Sequence, residues 1–254
     1  MLLPERVMPV ARLATRSSRA SLWGLGFTVL LSLATDARPA TAEEKRHGRY
    51  LPAGDEQPLR QYRAYRRMHA QSEKFGQEAW LEAWTEFDER GFRYTIVSES
   101  GSDYIRGKVL KAVLKREQEL VRAGAGSQSE LSSDNYHFEE TPGGDGERYV
   151  TLKPKRKDVL LVDGRMVLSR DGGELLRVEG RLSKSPSFWT NLVNVIRHYA
   201  RVDGVRVPIA TESVARVKLA GVSHLEVRYE YETINGRLVS PGARAAAVPQ
   251  GASR

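Results

Sequence analysis

The sequence predicts a mainly β protein: an open, strongly curved antiparallel half-barrel of about 11 strands, with a helical lid on its concave face. Three observations predict it. Apolar and polar residues alternate with period two through most of residues 77–234. Turn pairs containing Gly punctuate those runs at short intervals. One 3.6-residue pattern, at 102–121, interrupts them. Long strands with a single apolar face must curl around something, and the amphipathic segment is the available filler.

Taken in order, the charged stretch 43–58, broken by Pro52, Gly54 and Pro58, reads as a flexible lead-in. Leu59, Tyr62, Tyr65 and Met68 recur every three residues and allow a helix, whereas Tyr65, Arg67, His69 and Gln71 alternate with Met68 and Ala70 as on a strand; the favoured reading is a short helix passing into a first strand near Tyr65. Over 77–87, Ala79, Leu81, Ala83, Thr85 and Phe87 share one face, and Glu78, Trp80, Glu82, Trp84 and Glu86 the other. A turn at Glu89-Arg90-Gly91 leads to a strand through Phe92, Tyr94 and Ile96. Ser102 to Val121 then reads as a helix, with Ser102 accepting first-turn N–H groups, Asp103 at its positive end and Gly124 as its left-handed stop. Its stripe is Ile105, Val109, Ala112, Val113 and Leu120, flanked by Leu110, Leu114 and Val121.

The Gly- and Ser-rich segment 123–134 reads as a flexible loop. Strands are then expected at 135–140, 147–153, 157–163, 165–169, 174–183, 187–202, 204–218 and 222–234. The turns between them are Pro142 to Gly146, Asp163-Gly164, Asp171-Gly172-Gly173, Asp203-Gly204 and Ala220-Gly221. Val205, Val207, Ile209, Thr211, Ser213, Ala215 and Val217 are expected on one face. Arg177, Glu179 and Arg181 alternate outward and suit cross-strand ion pairs. Past Asn235-Gly236, residues 237–254 are expected to be disordered, so the domain spans 59–236.

The first 42 residues speak to location. Arg12, Arg16 and Arg19 precede an apolar run from Leu22 to Ala34, and Ala40-Thr41-Ala42 follows. These are the three parts of a secretory signal peptide, and the run is shorter than the ~20 residues that a membrane span needs. Without that segment the net charge falls from +8 to +5, which suits solubility or contact with anionic envelope surfaces. The chain has no cysteine, so it carries no lipid anchor on cysteine, disulfide or thiolate chemistry. A soluble, non-lipidated periplasmic protein of a Gram-negative envelope is expected, without nucleic acid as a partner.

Several phrases are similar to those of envelope proteins commonly placed near the outer-membrane lipoprotein-sorting family: Glu82-Ala83-Trp84-Thr85-Glu86, Pro154-Lys155-Arg156-Lys157-Asp158, Val178-Glu179-Gly180-Arg181 and Ser185-Pro186-Ser187-Phe188-Trp189. The order of elements, a helix, a hairpin, one amphipathic helix and a long meander behind a leader, also resembles that family. The likeness covers roughly residues 60–235. It implies an open β-barrel with a helical lid and an apolar cavity for acyl chains. This chain lacks the cysteine that anchors the family's receptor, and no motif matches the carrier's lid arginine, so no binding residue carries over.

The expected cavity is therefore built from periodicity: Ile105, Val109, Val113 and Leu114 of the helix, with Leu225, Val227, Tyr229 and Tyr231 of the last long strand. Lys153, Lys155, Arg156 and Lys157 are the candidate rim for a head group, against the alternative of a charged strand edge. No catalytic residue, metal ligand or cofactor is expected. His47, His69, His137, His198 and His224 show no metal-ligand spacing, Ser223-His224 lacks a nucleophile elbow, and Gly124-Ala125-Gly126-Ser127 lacks the lysine of a phosphate loop. Glu78, Glu82 and Glu86 beside Trp80 and Trp84 fit a solvated outer face better than a glycosidase pair.

The function expected is non-enzymatic, acyl-chain, lipid or lipoprotein-anchor binding by a monomer. Transient contact with a membrane surface or an envelope protein would accompany it. The alternatives are an envelope protein-interaction or stress-sensor module of the same fold, and then an envelope glycan hydrolase.

Overall fold

The computed structural model describes residues 57–141, 147–170, 173–188, 190–218 and 221–240. The expected leader 1–42, most of the expected lead-in 43–58 with His47, the expected turn residues 142–146 and 171–172, Trp189, Ala220 and the chain from 241 lie outside the described residues.

Among the described residues, eleven strands form one antiparallel sheet. They are β1 (Tyr62–Ser72), β2 (Gln77–Asp88), β3 (Gly91–Gly101), β4 (Tyr136–Thr141), β5 (Glu147–Pro154), β6 (Val162–Ser169), β7 (Leu175–Leu182), β8 (Thr190–Val202), β9 (Val205–Val217), β10 (Gly221–Ile234) and β11 (Arg237–Leu238). The order is β3-β2-β1-β10-β9-β8-β7-β6-β5-β4, with β11 added to β10. From β1, mid-sheet, the chain runs outward to β3 and returns from the opposite edge β4 until β10 seats beside β1. The sheet does not close, and an open, curved half-barrel fits it.

The connection from edge to edge carries the helix α1. It is α-helical over Asp103–Ile105, takes one π-helical turn at Arg106–Leu110, and continues as α-helix over Lys111–Arg122. Gly124 stops it in the left-handed region, at φ 65°. Ser102 stands at the N-cap, but its hydroxyl donates to Gln77 Oε1 at 3.0 Å and leaves the first-turn N–H groups uncapped. The buried stripe is Ile105, Val109, Leu110, Val113, Leu114 and Glu117, while Ala112 and Leu120 lie at its half-buried margin. The π turn (residues wound i to i+5) is one local departure from the ideal 3.6 period on which the sequence expectation rests.

Burial on β2 follows the expected alternation: Ala79, Leu81, Ala83 and Thr85 are fully buried and Trp80 is exposed. On β9 all seven expected residues are buried, but so are Pro208 and Ala210, where the register with β8 slips. Two apolar clusters result. The larger unites α1 with β1–β3 and β8–β10, and the smaller lies among β4–β7.

Four expectations are corrected. Among the described residues no helix precedes β1. Residues 57–61 are irregular and β1 starts at Tyr62, because a strand paired on both sides, with β2 and β10, overrides a weak local pattern. Asp163-Gly164 is no hairpin turn but lies inside β6, facing Arg181 and Gly180. The segment before it turns instead at Asp158, whose carboxylate accepts the Leu160 N–H at 2.9 Å. The 123–134 segment includes a 3-10 turn, Ala125–Ser129, and Asn135 Nδ2 ties it down by donating to Ser127 O at 2.8 Å and Glu130 O at 2.9 Å. The sheet also continues past Gly236: β11 pairs with β10 and Val239 is buried.

Candidate functional site

The larger apolar cluster is where the sequence-derived cavity residues meet. Ile105, Val109, Val113 and Leu114 from α1, and Leu225, Val227, Tyr229 and Tyr231 from β10, belong to one cluster, each at 8% exposure or less. Alternation places the β10 residues on one face because successive side chains point to opposite sides. The structure brings all eight together as a packed interior.

A buried ionic centre joins the two layers, and sequence reasoning missed it. Arg66 of β1 is 1% exposed and Glu117 of α1 is 5% exposed. Arg66 Nη1 donates to Glu117 Oε2 at 2.5 Å and Nη2 to Oε1 at 2.9 Å, a bidentate pair. Nη2 also donates to the Tyr62 hydroxyl at 2.7 Å. The guanidinium sits 5.1 Å from the Phe92 ring centre and 4.8 Å from that of Tyr229. Burial alone would lower the Arg66 pKa, but the Glu117 carboxylate outweighs it and holds the group well above its ordinary range. Burial likewise pushes the Tyr62, Tyr229 and Tyr231 phenols up, so all stay neutral. One signal was present. Arg66 has the parity of Tyr62, Ala64, Met68 and Ala70, which places a charge on an apolar strand face.

Two of the four expected rim residues have other duties. Lys153 Nζ donates to Asp163 Oδ1 at 2.9 Å. Arg156 donates to Asn135 Oδ1 at 2.6 Å and to Gln128 O at 2.7 Å, stapling the segment after α1. Lys155 and Lys157 are exposed at the β5–β6 connection. Beside them runs the expected ion-pair ladder. Arg177 holds Glu147 at 2.9 Å and Glu179 at 2.9 Å, Arg165 holds Glu179, and Arg181 holds Asp163 at 3.2 Å.

On the opposite face, Glu82 accepts from Ser98 Oγ at 2.7 Å and Tyr65 OH at 3.0 Å, with Arg67 at 3.5 Å. The two hydroxyl donors, aided by Arg67, hold its pKa below the usual carboxylate range. That is the opposite of what a general acid needs. Glu86 pairs with Arg63, and His69 lies against Glu78 and stacks on Trp80 at 4.8 Å. His198 and His224 approach Glu212 and Glu73. Among the described residues no three acidic or histidine side chains stand together as a metal set, and no helix is long and apolar enough to cross a membrane.

A recess of about 30 Å³ lies away from α1, at the seam of the two clusters. Arg197, Tyr136 and Tyr199 give it polar groups, and Leu131, Leu160 and Leu182 are among its apolar walls. None of the eight expected cavity residues lines it. No protein-family model matches this chain, and no curated protein matches it.

Proposed function

We propose that this protein is an exported, non-enzymatic envelope protein that binds an acyl chain, a lipid or a lipoprotein anchor between its curved sheet and α1, which acts as a lid. Its role would be outer-membrane lipoprotein or lipid trafficking. The observation that supports this most is how α1 is fastened: five buried apolar side chains and one buried ion pair, with Arg106 and Lys111 pairing with Glu99 of β3 beside them, over a sheet face of aliphatic and aromatic groups. Lifting the helix exposes Ile105, Val109, Leu110, Val113 and Leu114, at roughly 1.5–3 kcal/mol each. A buried acyl chain returns about 0.8 kcal/mol per methylene, so roughly 9–19 methylenes offset that loss. The ion pair fixes the position of the helix without strongly favouring closure, because both charges regain water when it opens.

The close packing of the eight cavity residues supports a second reading, a protein-interaction module of the same fold with a permanently filled interior. Native mass spectrometry with lipid extraction, on protein purified from a Gram-negative envelope, separates the two. A stoichiometric lipid or acylated peptide is expected. Protein that emerges clean and takes up no fluorescent fatty acid overturns lipid binding in favour of the protein-partner module.

A further inference from the structure

We infer that one end of the sheet is a docking surface for an anionic lipid bilayer, which it meets through the exposed rings of Phe75 and Phe188 and the lysines around them. This extends the trafficking reading by naming the surface on which it takes place, and it uses none of the residues of the acyl-binding interior. The strand register gathers a row of connections at this end. Ser72, the last residue of β1, faces both Gln77 and Ser223, and the Glu73 N–H donates to Val222 O at 3.0 Å, so the β1–β2 and β9–β10 tips lie side by side. Val217 of β9 faces both Gly221 and Thr190, which puts the β7–β8 connection next. Leu182 faces Val162, and the Ser183 N–H donates to Leu161 O at 2.8 Å, which adds the β5–β6 connection. On the other flank Ser102, at the start of α1, is bonded to Gln77.

This row combines charge with exposed apolar rings. Phe75 is 58% exposed, Phe188 78% and Tyr104 44%. Lys74 Nζ stands 5.8 Å from the Phe75 ring centre, and Lys218 Nζ 4.0 Å from that of Phe188. Each phenyl tip thus carries an ammonium beside it, so a ring entering the head-group boundary leaves a cation at the level of the phosphates. Lys74, Lys155, Arg156, Lys157, Lys184 and Lys218 outnumber the acids of the row, Glu73, Asp103 and Asp158. The opposite end differs: its connections Glu89-Arg90, Asp203-Gly204 and Asn235-Gly236 hold no lysine and no exposed aromatic among the described residues. A soluble polyanion would need the charge alone, and the rings beside it favour a bilayer, where surface adhesion takes both signals. Because α1 starts in this row, a docked molecule presents the first turn of the helix to the membrane.

The test is co-sedimentation of the purified protein with vesicles of phosphatidylethanolamine and phosphatidylglycerol, against vesicles of phosphatidylcholine alone. Binding is expected to the anionic vesicles and to weaken as salt rises. Replacing Lys155, Lys157 and Lys184 by serine together should weaken it about 100-fold, near 5-fold for each charge. Phe75→Ser with Phe188→Ser should weaken it about 10-fold or more. The chain has no cysteine, so an environment-sensitive dye can be placed by Lys184→Cys or, at the opposite end, by Glu89→Cys. Its emission should shift to the blue on anionic vesicles at the first position and stay unchanged at the second. No binding to anionic vesicles overturns docking and leaves acyl binding, read with a fluorescent fatty acid in vesicle-free solution, to stand on its own result. Equal binding to both vesicle types, or a dye response at Glu89→Cys instead of Lys184→Cys, also overturns the assignment. Binding that survives loss of both phenylalanines and is displaced by dextran sulfate overturns the bilayer in favour of a soluble polyanion.

Discussion

Arg66 and Glu117 show what one misplaced charge costs in an interior of this kind. A lone ion in apolar surroundings is heavily penalised, whereas a bidentate pair with both oxygens engaged is tolerated. Glu117→Leu leaves Arg66 buried between Phe92 and Tyr229 without its carboxylate and is expected to cost about 3–5 kcal/mol in urea unfolding. The double variant Arg66→Met with Glu117→Leu should recover most of that, since apolar replacements of similar volume are often neutral or better. A single variant that loses less than about 1 kcal/mol would show that the pair does not hold the layers together. Half of this pair was legible. The parity of Arg66 can be read from β1, but its partner lies 51 residues away, and no local pattern links a strand residue to a helix residue at that separation.

Among the elements, two Asp-Gly pairs separate what sequence conveys from what it hides. Asp203-Gly204 forms the expected hairpin between β8 and β9, with φ of 46° and 84° at its two centres. Asp163-Gly164 has the same residues and sits mid-strand. There the glycine is needed because a Cβ on Gly164 would stand 2.1 Å from the Glu179 carbonyl oxygen and 2.6 Å from the Gly180 Cα. A lone sequence cannot distinguish a glycine chosen for left-handed backbone from one chosen for its missing side chain. Gly164→Ala should therefore destabilise by about 1–3 kcal/mol, on the scale of overpacking. Amide resonances should shift along both β6 and β7. Gly204→Ala should disturb only its hairpin. If Gly164→Ala leaves the β7 resonances in place, the close approach does not set the register. The helix was better served: its existence, its left-handed stop and most of its stripe follow from 3.6-residue spacing, and its π turn does not.

At the scale of the molecule, most strands were visible in their alternation, but the order that places β10 beside β1 was not, because long-range pairing leaves no periodic trace. What spans the whole sheet is its charge lattice. Glu82, Asp88 and Glu99 on the β2–β3 side, and Glu147, Asp163 and Glu179 on the β5–β7 side, all have pKa values held below their ordinary range. Hydrogen-bond donors do this at Glu82, Asp88, Glu99, Glu147 and Asp163, with arginine or lysine the donor at all but Glu82. At Glu179, burial opposes the depression and Arg177 and Arg165 overcome it. A depressed carboxylate stabilises the fold above its unfolded pKa, near 4.5 for Glu and 3.8 for Asp, and loses that contribution as pH falls through the lower folded value. Stability should hold level above about pH 5 and drop progressively below about pH 4, where the unfolded chain takes up protons first. Exposed members of the lattice are screened by salt, so about 1 M NaCl should shrink the difference between neutral and acid conditions. Urea midpoints measured across pH 2–8 at low and high salt provide the check, and a midpoint that does not fall below pH 4 would deny the lattice a role in stability.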